Sequence, residues 1–270
     1  VKKDGTVVNV TIGEDEEDPV LYITDLLIHL AGQQMAKKAS EVVEGEKLDI
    51  LIGSRPLADL PDDKKKEAVK ENVLRILNEK YGVEEEDFLS AELEIVPAGK
   101  ARDCGLDRSM IAGYGQDDRV CAYTSLLALL EMKAPKRTSC CLLVDKEEIG
   151  SVGATGMQSR FFENSVADVL DALGQYSDLR LRKALKNSSM LSSDVSAGYD
   201  PAFAEAFEKK NSAYLGRGIV LNKFTGARGK SGSNDANAEY VARVRKIFND
   251  HNVFFQTAEL GKVDVGGGGT

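Results

Sequence analysis

Residues 6–12 alternate β-branched or apolar side chains with polar ones, a period that fits a strand closed by the acidic turn 14–18 and Pro19. Thr24 or Asp25 can cap a helix whose apolar side carries Leu26, Leu27, Leu30 and Ala31. Residues 48–52 form a short apolar strand ended by Gly53. From Asp62 the spacing of Val69, Val73, Ile76 and Leu77 predicts a helix with Gly82 as its stop. Ala91, Leu93 and Ile95 alternate with glutamates, as in a half-solvated strand. These elements describe a compact α+β unit over residues 1–98.

Beyond Pro97-Ala98-Gly99 the texture changes. Apolar runs alternate with long helical patterns, which predicts an α/β domain over residues 99–270, a mostly parallel sheet flanked by helices. The expected strands are 109–112, 139–144, 189–191, 219–221 and 253–255, with 139–144 buried on both faces. The expected helices are 118–132, 157–173 and 234–249, the last with Tyr240, Val241, Val244, Ile247 and Phe248 facing inward.

Charge narrows the function classes. A net charge of −9 over 270 residues argues against a nucleic-acid partner or an anionic membrane, both of which need basic surface. The longest apolar runs, such as 126–130, are too short to span a bilayer, and no signal segment opens the chain, so a cytoplasmic location is expected. Cys104, Cys121, Cys140 and Cys141 lack the spacing of a thiolate zinc site and read as reduced, buried structural thiols.

Candidate chemistry lies with carboxylates at strand ends, where open α/β sheets bind their ligands. Glu147 and Glu148 follow the apolar run 139–144, and in an extended segment two neighbours point opposite ways. One can then ligate a metal while the other takes a proton from a metal-bound water. A solvated acidic turn explains the same pair. Asp117 follows 110–112 and Asp194 follows 189–191, so a shared site for zinc, manganese or cobalt is open to them. Alone, Asp117 also fits a helix N-cap and Asp194 a turn residue. The basic, glycine-rich stretch 223–233, with Lys223 and Arg228, can meet a substrate carboxylate or be a surface loop.

In order along the chain, Gln116-Asp117-Asp118-Arg119, Asp145-Lys146-Glu147-Glu148-Ile149-Gly150-Ser151, Ser192-Ser193-Asp194 and the glycine run 264–270 resemble the aspartyl aminopeptidases, which are dinuclear zinc exopeptidases. The resemblance extends over nearly the whole chain. It implies a zinc-exopeptidase-like α/β fold into which residues 1–98 are inserted as an α+β dimerisation domain. It also implies two zinc ions per complete site, with cobalt or manganese as substitutes. Asp117 would bridge the ions, Glu148 would bind one and Asp194 the other. Glu147 would be the general base. Peptides would be the substrates, and a homo-oligomer built from dimers the assembly. His29 would reach a neighbouring subunit's active site and stabilise an oxyanion there, although a packed histidine on an apolar helix fits too.

Departures from the family accompany this. The resemblance implies one histidine ligand ahead of the dimerisation domain and another near the family's C-terminal end, and neither has a counterpart here. The chain therefore reads as a fragment that is itself weakly metal-binding or inactive. His251 reads as a surface residue, and Ala197 stands where some relatives place a substrate-contacting histidine. Two other readings compete: a glutamyl aminopeptidase-type dimetal peptidase, and a non-catalytic assembly fragment.

Overall fold

The structure, a computed structural model, describes residues 1–227 and 231–262. It divides into two compact units, Val1–Tyr114 and Gly115–Thr270.

In the first unit, β1 (Tyr22–Ile23) pairs antiparallel with β2 (Ile50–Leu51), and the single turns α1 (Gly32–Met35) and α2 (Ala39–Val42) lie between them in sequence. The expected helix from Asp62 is present as a 3-10 turn, Lys65–Glu67, leading into α3 (Ala68–Tyr81). Gly82 ends it in the left-handed region, φ 65°, with its N–H on the Asn78 carbonyl. Val69, Val73, Leu74 and Leu77 on α3, together with Ile52 and Phe88, line an apolar groove of about 610 Å³. Two buried polar groups are satisfied. Asn72 Nδ2 donates to the Arg55 carbonyl at 3.0 Å, and the Asp87 carboxylate accepts the N–H groups of Lys3 and Glu84. The hairpin of β3 (Arg102–Cys104) and β4 (Met110–Ala112) belongs to this unit.

Three expectations fail here. Residues 6–12 form no ladder, because no described strand lies alongside to take their backbone hydrogen bonds. The expected helix through Leu26–Ala31 is only a pair of tight turns, Leu30 N–H to Leu27 O and Ala31 N–H to Ile28 O. Asp25 spends its carboxylate on the Leu26 N–H and on Gln34, and Leu26, Leu27, Ile28 and Leu30 stay exposed. A short apolar helix draws its stability from a packed face, and of this one only Ala31 is buried. The alternating segment at 91–95 is likewise without a ladder.

The second unit opens with α4 (Gln116–Leu130), followed by α5 (Phe161–Ala172) and α6 (Asp178–Lys186). The sequence reading passed over α6, although Ser177 caps it by accepting the Arg180 N–H at 3.2 Å. Next come β5 (Ile219–Leu221), the antiparallel hairpin of β6 (Phe224–Ala227) and β7 (Ser231–Asp235), α7 (Ala238–Asp250) and β8 (Phe255–Thr257). β8 runs parallel to β5, and α7 makes the crossover between them. Gly218 permits the close approach that starts this pairing. Its φ is 89°, and a Cβ there would stand 2.2 Å from the Phe254 carbonyl oxygen that receives the Ile219 N–H.

The described strands form four two-stranded sheets, of which the β5–β8 pair is parallel. Residues 139–144 and 189–191 join no sheet, for a parallel ladder needs a neighbouring strand and none is described beside them. Leu143 and Val144 are exposed, and so is Cys140, against the expectation of a strand buried on both faces. On α7, Val244 is buried as expected and Tyr240, Val241 and Phe248 are half-buried, whereas Ile247 is exposed.

Candidate metal centre

The site grows from two places where helical geometry is broken. Gly115, in the left-handed region at φ 76°, starts α4, and Asp117 and Asp118 then adopt non-helical backbone angles inside its first turn. Their carboxylates stand at the positive end of a long helix, where the backbone dipole favours anions. Asp194, just after residues 189–191, accepts the Val195 N–H on Oδ1 at 2.7 Å. One carboxylate oxygen from each of Asp117, Asp118 and Asp194 lies within 4.8 Å of the other two. Asp117 and Asp194 are thus brought together as the sequence suggested. Asp118 was read only as the start of a helix. Two successive acids at a helix head were the available signal for it.

The donor set suits a cation. Asp118 Oδ1 is buried and has no hydrogen-bond partner among the described residues, an acceptor that a cation would satisfy. Burial first, then Asp117, Asp118 and Glu148, push the Asp194 carboxyl above the usual carboxylate range, although the Val195 N–H works in the other direction. A cation among these oxygens converts repulsion into attraction, and carboxylate oxygens at about 2.0–2.2 Å satisfy zinc.

Glu147 and Glu148 sit on a 3-10 turn, Glu147–Ile149, and not on the extended segment first expected. Lys146 at φ 65° and Gly150 at φ 98° bracket the turn, and the Gly150 N–H bonds back to the Glu147 carbonyl at 2.8 Å. Gly150 and Gly153 both have positive φ angles, 98° and 80°. Burial raises the Glu147 carboxyl, as do Asp194, Glu148, Asp117 and Asp118 in that order. The two glutamates therefore share the negative field of the aspartate cluster, although neither belongs to the tight group of three.

Cys121, one turn along α4, is tied to the same place. Burial and then the Asp118 carboxylate push its thiol up to about 12. The thiol is neutral below that pH, so alkylation at pH 8 in the metal-free folded protein should run on the order of 10³-fold slower than for the same residue in denaturant, where the pKa is about 8.5. Peptide mass spectrometry after iodoacetamide checks this. Equal rates would mean that the thiol is not shielded.

Other candidates lie elsewhere. Lys223 is exposed and paired with Asp235, so its ammonium already has a carboxylate partner. Residues 228–230 and the glycine run 264–270 fall outside the described residues, as does the side chain of Arg228. His29 is exposed in the first unit, in the tight turns that replace the expected helix. His251 is the exposed C-terminal cap of α7, in keeping with a surface role.

A family model described as the aminopeptidase I zinc metalloprotease (M18) matches residues 1–270. The chain belongs to the M18 family. It is 65% identical over 270 residues to a probable M18 family aminopeptidase 1 of Clostridium acetobutylicum, covering all of this chain and 57% of that protein. The crystal structure of aminopeptidase I from Clostridium acetobutylicum superposes with a TM-score of 0.88 at 64% identity, over 100% of this chain and 57% of that one. The M18-family aminopeptidase of Thermotoga maritima gives a TM-score of 0.92 at 48% identity, over 100% of this chain and 58% of its own. The chain thus spans somewhat over half the length of these M18 relatives. The resemblance carried by the Asp117, Glu147 and Asp194 words is borne out at the level of the family, and the fold is that of M18 aminopeptidases.

Proposed function

We propose that a full-length polypeptide containing this M18 chain is a zinc aminopeptidase that hydrolyses the N-terminal residue from peptides. The observation that supports it best is the three-aspartate cluster, with an orphaned acceptor at Asp118 Oδ1, sharing one negative field with Glu147. In this reading Asp117 would be shared by two zinc ions, Glu148 would hold one and Asp194 the other, with cobalt or manganese as substitutes. Zinc, when bound, supplies Lewis acidity, which polarises the scissile carbonyl and lowers the pKa of water. Glu147 accepts the proton of the attacking water on its carboxylate and delivers it to the departing amine nitrogen.

Residues 1–98 are proposed to form a dimerisation domain inserted in a mostly parallel α/β domain, and the parallel β5–β8 pair crossed over by α7 supports the second part. The exposed Leu26, Leu27, Ile28 and Leu30 suit an interface between copies, in an oligomer built from dimers. His29 among them is the proposed residue that reaches the neighbouring subunit's substrate. Lys223 is a proposed substrate contact, for which its Asp235 pairing would have to open. No helix among the described residues is long and apolar enough to cross a membrane, and a cytoplasmic location is proposed.

The test is made on the full-length polypeptide. Elemental analysis should find two zinc ions per chain, and release of free amino acid from short peptides should vanish on chelation and return with zinc. Full turnover in a chelated, zinc-free sample would refute the reading.

A further inference from the structure

A three-residue 3-10 turn has little stability of its own, yet here it carries both Glu147 and Glu148. Two backbone bonds tie it internally, the Gly150 N–H to the Glu147 carbonyl at 2.8 Å and the Ser151 N–H to the Lys146 carbonyl at 2.7 Å. Lys146 and Ser151, neither of them glycine, hold positive φ angles of 65° and 58° on either side, a conformation that persists only where the surroundings enforce it. Lys146 and Ser151 are bonded to each other, and the contacts from outside the turn come from residues 155–158, just ahead of α5 (Phe161–Ala172).

The chain returns over its own turn. At the base, the Asp145 N–H donates to the Thr155 carbonyl at 3.1 Å, and Thr155 Oγ1 donates to the Asp145 carboxylate at 3.5 Å. Gly156 is buried, and a Cβ on it would stand 2.2 Å from the Ser151 carbonyl oxygen and 2.4 Å from that of Val152, so the returning segment lies directly on the backbone that leaves the turn. Gln158 then closes the loop twice. Its side-chain Nε2 donates to the Gly150 carbonyl at 2.7 Å, and its backbone N–H donates to the Ser151 carbonyl at 3.0 Å.

We infer that Gln158 is a positioning residue, whose side-chain amide clasps the Gly150 carbonyl and fixes the turn that aims Glu147 and Glu148. The inference rests on the zinc aminopeptidase reading for its effect on turnover, and on geometry alone for its effect on the turn. Gln158 is not among the residues assigned to metal or substrate. It links the turn to the start of α5, a helix long enough to be a fixed reference.

The experiment compares full-length unaltered protein with Gln158→Met, which keeps the length and loses the donors, and with Gln158→Glu, which can donate only when protonated. For Gln158→Met, kcat should fall roughly 10–10²-fold, as a small misplacement of catalytic groups does, with KM within about threefold and zinc per chain unchanged. Hydrogen exchange should quicken over residues 146–151 and stay constant in α5. For Gln158→Glu, the kcat ratio to the unaltered protein should rise as pH falls from about 7 to 5, as the new carboxyl takes up its proton. An unchanged kcat per folded molecule in Gln158→Met, or unchanged exchange over 146–151, overturns the inference. Glu147→Gln run alongside keeps the two readings apart: normal turnover in that variant defeats the proposed function, while the exchange data still judge the clasp. If Gln158→Met fails to fold, the Gln158→Glu pH series and its exchange decide alone, a flat ratio counting against the clasp.

Discussion

Glu147→Gln in the full-length polypeptide should keep its zinc and lose most of its turnover. The amide has the shape of the carboxylate but cannot accept a proton, and general base catalysis is typically worth about 10²–10⁴-fold. The turn places Glu147 in the field of Asp194, Glu148, Asp117 and Asp118 without making it one of the tightly grouped acids. That is the arrangement wanted of a base, near the cations but not used up in holding them. In the metal-free protein the same neighbours raise its carboxyl, and bound cations would oppose that shift. Measuring kcat together with zinc content is decisive. A kcat near that of the unaltered protein, at full metal occupancy, would remove Glu147 from the role.

Asp194→Asn should have the second largest effect, this time on the metal. Asp194 supplies a half-buried carboxylate to the cluster and is assigned one ion by itself. Losing an outer hydrogen-bond partner of a metal ligand typically costs about 10–100-fold in affinity, and losing the ligand itself should exceed that. Competition with a chromophoric chelator reads the result, and unchanged affinity would exclude Asp194 as a ligand. The metal-free protein should respond with opposite sign. The folded-state pKa of Asp194 is raised above its unfolded value, so the folded protein binds the proton more readily. Its stabilising contribution is full below the ordinary aspartate pKa of about 3.9 and is lost as pH rises through the raised value. At neutral pH the metal-free Asn variant should therefore be the more stable of the two in thermal unfolding, and chelation should cost the unaltered protein more than the variant.

Features fixed by local chemistry could be read from the sequence. α3 and its Gly82 stop, α4, α5 and α7 follow from apolar spacing and terminal residues. The β4, β5 and β8 segments were placed to within a few residues, but the partner of each was not, since pairing joins residues far apart in sequence. Residues 6–12 and 139–144 have the side-chain pattern of strands without a neighbour to complete them. The extended conformation is cheap, and the ladder is what makes a strand. For the centre, Asp117 and Asp194 were visible from their places after apolar runs. Asp118 was hidden because the same residue also reads as a helix start, and only the broken angles of the first turn of α4 aim its carboxylate inward. The clasp by Gln158 was equally invisible, because a glutamine eight residues from its partner matches no periodic template.

The unpaired run at 139–144 has a bearing on handling. Ser139-Cys140-Cys141-Leu142-Leu143-Val144 contains no charge, proline or glycine, and its Leu143 and Val144 side chains are exposed. A six-residue segment of that kind, in no ladder among the described residues, is a template for cross-β stacking with identical segments of other molecules. Cys140, exposed and free at the same place, can lock such a stack through an intermolecular disulfide. Production of this 270-residue chain by itself is thus a contest between folding and self-association, and reducing conditions together with low protein concentration tilt it toward folding.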